Sequence, residues 1–233
     1  MSPQLTPVTT AALDAVQRAY GLRFCPDARD YFAAHPAGLD LDWAAHPTFL
    51  SDKRAGRFGD RYDAVLEALG TEPYGETEHF PERLYAFAEL RDELADLTRE
   101  DGGAHARFLP LFYPVGVYPN GDELVQIAAG RRRGQLLMLD HEYYFGGLSL
   151  LLTAEGRAEL GYGGTLEPAD ADAFVDFCLG PGYLVALEEP YDTLGGVLGG
   201  YRETLEAHLR VYRALDGRER QDRERPNDGR WER

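Results

Sequence analysis

The sequence predicts an α+β fold, a central antiparallel sheet flanked by helices. Apolar residues recur at helical spacing through much of the first hundred positions. Three short apolar runs then follow between 108 and 139, joined by glycine-bearing connectors too short for anything but antiparallel pairing. Bulk composition agrees: 233 residues, 44% apolar and 12% aromatic, supply a core for one large domain.

Thr9 or Thr10 caps a first helix, with Leu13, Val16 and Tyr20 in register and Gly21 as its stop. Pro26 and Asp27 open a short second helix that buries Tyr31 and Phe32. His35-Pro36-Ala37-Gly38 breaks it, and 39–59 reads as irregular, with a locally basic loop at 53–61. Asp60 starts a helix with Val65, Leu66 and Leu69 inward, closed by Gly70. Pro81 opens the clearest helical pattern, with Leu84, Phe87, Leu90, Leu94 and Leu97 on one face.

The periodicity then changes. Residues 108–113 read as a strand interrupted by Pro110, Leu124 to Ile127 as a second, and 136–139 as a third. Asn120-Gly121-Asp122 and the stretch 130–134 serve as the turns. Residues 148–152 suggest a further strand. Glu167-Pro168 opens a helix carrying Phe174, Val175, Phe177 and Cys178, which stops at Gly180. A last helix is expected over about 201–215. We expect one domain over 1–215, with a helical insertion at about 40–106 and a C-terminal helical extension. The tail 216–233, with six Arg and six Asp or Glu, has little to bury and reads as disordered.

The formal charge is -16. Such a surface repels nucleic-acid phosphates and anionic lipid, and speeds encounter with a basic protein. No apolar run is long enough to span a bilayer, and the first residues lack the basic and apolar regions of a signal peptide. The expected compartment is the cytoplasm, without a membrane or nucleic-acid partner. Cys25 and Cys178 do not form a metal-type pair and read as buried, reduced thiols.

Asp140-His141-Glu142 is the cluster most suggestive of chemistry. Adjacent strand residues face opposite sides, so Asp140 and Glu142 share a face that His141 does not. Without an HExxH or CxxC partner pattern, we read the cluster as a polar strand end rather than a metal site. The glycine pairs match no phosphate-binding loop, and no serine lies in a nucleophile elbow. Cys178 sits among apolar neighbours, which raise a thiol pKa rather than activate it. No catalytic residue and no cofactor is therefore expected. Arg131-Arg132-Arg133 reads as a solvated turn, or as a contact for an acidic patch on a partner.

Residues 108–147 carry a further signal. Pro114-Val115-Gly116, Asn120-Gly121-Asp122, Gly134 and Asp140-His141-Glu142 stand in the order of a motif in the SMI1/KNR4 (SUKH) superfamily, which this stretch resembles. The early Phe24-Cys25-Pro26-Asp27 with Tyr31-Phe32, and the late helix Ala171–Leu179, look like its flanks. The usual Asn-Gly-Gly turn after the second helix is replaced by His35-Pro36-Ala37-Gly38. The resemblance implies an α+β fold with a central antiparallel sheet. It also implies an immunity protein that neutralises a cognate bacterial toxin, often a nuclease, by direct binding. Fungal relatives act as scaffolds, which makes a regulatory interaction module the alternative. Asp122, Glu123, Asp140 and Glu142 are the candidate contacts for a basic toxin.

Overall fold

The computed structural model describes residues 7–41, 81–118, 121–141, 148–180, 193–203 and 206. They fall almost entirely in one unit, Met1–Leu41 with Pro81–Leu198. A second unit, Asp42–Phe80 with Gly199–Arg233, lies almost wholly outside them, as do the helix expected from Asp60 and the tail.

The first two helices form as their signals dictate. Helix α1 is Thr10–Tyr20, with the Thr9 hydroxyl accepting from the Ala12 N–H at 3.2 Å and Gly21 closing it in the left-handed region. Helix α2 is Pro26–Ala34, burying Ala28, Tyr31 and Phe32. Gly38, at φ 73°, turns the chain into strand β1, Leu39–Asp40. A Cβ there would fall 2.6 Å from the Leu84 carbonyl and the Ala86 nitrogen, so the close approach of two backbones requires glycine.

The next element corrects the sequence reading. Pro81 does not open a helix. Arg83–Leu84 is strand β2, and the helix, α3, is Phe87–Arg99. Glu89 sets the start by reaching back to the Ala86 N–H at 2.8 Å, as a capping-box carboxylate does. Leu84 falls on the helical period by coincidence; it is buried because β2 lies between β1 and β3.

A second correction concerns 108–113. The chain stays in a 3-10 turn, Glu100–Phe108, and strand β3 begins only at Phe112, running to Val117. Pro114 lies inside it, where the register with β4 shifts between Pro114 and Gly116. A residue that cannot donate is tolerated at such an irregularity. Strands β4, Glu123–Ile127, and β5, Leu136–Leu139, form as expected.

A third correction is 148–152, which turns as helix at 148–151 rather than extending. Leu148 and Leu151 are buried and Leu150 is exposed, the spacing of a helix rather than a strand. Helix α4, Ala154–Glu159, follows, capped by Thr153. After a 3-10 turn, Pro168–Asp170, helix α5 is Ala171–Leu179. The last described helix covers 194–203, capped by the Thr193 hydroxyl, and so begins before the expected residue 201; 207–215 lie outside the described residues. Among the described residues, no helix is long and apolar enough to cross a membrane.

The sheet is antiparallel throughout, in the order β1-β2-β3-β4-β5. Alternation along its strands separates two apolar faces. On one face Phe112, Val125, Ile127, Leu137 and Leu139 pack with Phe108, Leu148, Leu151, Tyr162 and the inner side of α5 through Phe174 and Val175. On the other, Tyr113 meets Phe24 edge-on at 5.2 Å, and Phe24, Phe32 and Phe87 continue the aromatic contacts onto α2 and α3.

The second face also holds a buried polar network. The Tyr113 hydroxyl accepts from the Cys25 N–H at 2.8 Å and donates to the Gln126 carbonyl oxygen at 2.5 Å. The Gln126 amide donates to Asp27 and to the Gly134 carbonyl, both at 2.9 Å. Burial pushes the Tyr113 phenol well above its ordinary pKa, so it stays neutral and able to donate. Tyr113→Phe leaves a buried N–H and a buried amide oxygen without partners, which should cost about 2 kcal/mol in urea unfolding. A loss below about 0.5 kcal/mol would show that the network does not anchor α2.

Candidate functional site

Three of the residues singled out by the motif, Asp122, Asp140 and His141, meet where the β3–β4 turn lies beside the end of β5. Tyr118 and Asp122 close the turn, with the Tyr118 N–H donating to the Asp122 carbonyl at 2.8 Å and Gly121 at φ 92° between them. Glu123 pairs with Leu139, which brings the residues just past β5 back to the turn. The Asp122 carboxylate is buried, 3% exposed, and one of its oxygens accepts from the His141 backbone N–H at 3.0 Å. The same oxygen lies 2.7 Å from the His141 Nδ1, a hydrogen-bond contact that fits the tautomer protonated at Nδ1. The half-exposed ring is thereby fixed.

Asp140 joins this pair: ligand atoms of Asp122, Asp140 and His141 lie within 4.8 Å of one another. Carboxylates around an imidazole are a donor set that suits a divalent cation or a proton transfer. Here one Asp122 oxygen is already bound to two N–H groups of a single residue. The arrangement ties the β3–β4 turn to the strand end 19 residues later. Asp122 and His141 are therefore two halves of one hydrogen-bonded lock, with Asp140 beside it.

The expected contact residues divide accordingly. Asp122 is buried in the lock, Asp140 is half-buried, and Glu142 lies outside the described residues. Glu123 is largely withdrawn: one oxygen accepts from the Tyr85 hydroxyl at 3.1 Å, while the other is sealed from solvent without a hydrogen bond. Burial, reinforced by the Glu93 charge and opposed by Tyr85, pushes its carboxyl up to about 8. His105 is buried, with its Nε2 3.3 Å from the Ser149 hydroxyl and its ring stacked on Phe108. Cys25 and Cys178 are free, buried thiols, and burial pushes both up.

The basic run takes up a role the sequence reading did not assign. Arg131 donates to Asp172 through its backbone N–H at 2.7 Å and its Nε at 3.0 Å. Arg132 reaches Asp176 at 3.3 Å. Arg133 donates to the Ala128 carbonyl at 3.0 Å and the Phe24 carbonyl at 3.1 Å. The β4–β5 connector is thus clamped to α5 and to the approach to α2. Asp172 is held below the usual carboxylate range, first by that backbone N–H. The signal in the sequence was the i,i+4 spacing of Asp172 and Asp176 on the helix opposite.

Asp122→Ala leaves the lock unmade and should cost about 2 kcal/mol, whereas Asp122→Asn keeps an acceptor and should cost about half that. Equal costs in denaturant titrations would refute the lock. For Glu123, the folded pKa of about 8 stands above the ordinary 4.5. The folded state therefore binds the extra proton between those values, and stability is highest below 4.5 and declines as pH rises toward 8. Glu123→Gln should flatten that decline and raise stability at alkaline pH, by about 5 kcal/mol at most. A decline that persists unchanged in the variant would assign it to other groups.

Comparison with known proteins finds no matching family model, no matching curated protein and no matching solved structure.

Proposed function

We propose that this chain is a non-enzymatic binding module that neutralises a basic toxin protein by direct contact, in the manner of SMI1/KNR4-type immunity proteins. The observation that supports it is the distribution of charge. The unit Met1–Leu41 with Pro81–Leu198 contains 11 Arg and no Lys, against 24 Asp and Glu. Eight of those arginines hold internal bonds. Arg29, Arg83, Arg99, Arg131 and Arg132 pair with carboxylates, while Arg107, Arg133 and Arg157 donate to backbone carbonyls.

With most of its cations already engaged within the fold, the unit's net charge is set by its excess of carboxylates. A nuclease-type toxin presents a basic groove shaped for phosphates, and such a charge draws it in over distances of about one Debye length. The lock between Asp122 and His141 gives the motif residues a physical reason to occur together, which favours the same reading. The contact surface is then built from exposed carboxylates such as Asp92 of α3 rather than from Asp122.

The test is titration calorimetry of the full chain against the C-terminal domain of the protein encoded beside it, at low and at physiological salt. Binding in the nanomolar range that weakens about tenfold or more with salt is the expected outcome. Absence of binding at micromolar concentrations would overturn the reading.

A further inference from the structure

We draw no further inference here: the strongest candidate, the Asp122–Asp140–His141 cluster where the β3–β4 turn meets the end of β5, is an acidic cluster whose buried carboxylate already binds the imidazole beside it, and no second observation among the described residues points to a cation there.

Discussion

The Tyr113 hydroxyl is the point on which the arrangement of sheet and helices depends. It lies in the central part of the sheet and joins two chain segments 88 residues apart through the Cys25 N–H. Polar groups at that depth are costly when unpaired and specific when paired. Each member has one suitable geometry: the phenol accepts and donates, the Gln126 amide divides its donors between Asp27 and Gly134, and Asp27 sits in the first turn of α2. An apolar contact would let α2 slide along the sheet. This set of bonds permits one register, and the aromatic contacts among Phe24, Phe32 and Phe87 pack around it.

The same economy of position governs the charges. An acidic chain gains little from exposed ion pairs, yet most arginines of the main unit are bound where a connector needs holding. Arg133 bridges two carbonyls from different parts of the chain, and Arg157 steadies the turn before α4. A guanidinium suits this task because its planar fork offers several donors at fixed angles. Cations thus act as fasteners for loops, while Asp and Glu outnumber them.

Local chemistry was legible in the sequence where it decided the outcome. Thr9, Gly21 and Pro26 bounded the first two helices, and the turns at Gly121 and 130–134 announced the β3–β4–β5 meander. What escaped were elements whose cause lies elsewhere in the chain. Strands β1 and β2 are two residues each, and Leu39 pairs with Leu84 across 45 positions, so neither leaves a period to detect. Leu84 and Leu148 fell on patterns read for the wrong element because burial alone does not distinguish a strand between two others from a helical face. At the site, Asp122 and His141 were both noticed, but as separate features of a turn and a strand end. Their bond depends on a strand register that spacing along the chain does not express.

The pairing of β1 with β2 also determines how the chain accommodates what lies between them. The Leu41 N–H donates to the Glu82 carbonyl at 2.7 Å, so the chain departs from the sheet and returns to it at neighbouring points. For a flexible connection whose ends are held together in this way, added length costs only about 0.6 kcal/mol per doubling. The junction is a natural seam at which evolution or engineering could exchange one segment for another of different size while the five-stranded frame persists.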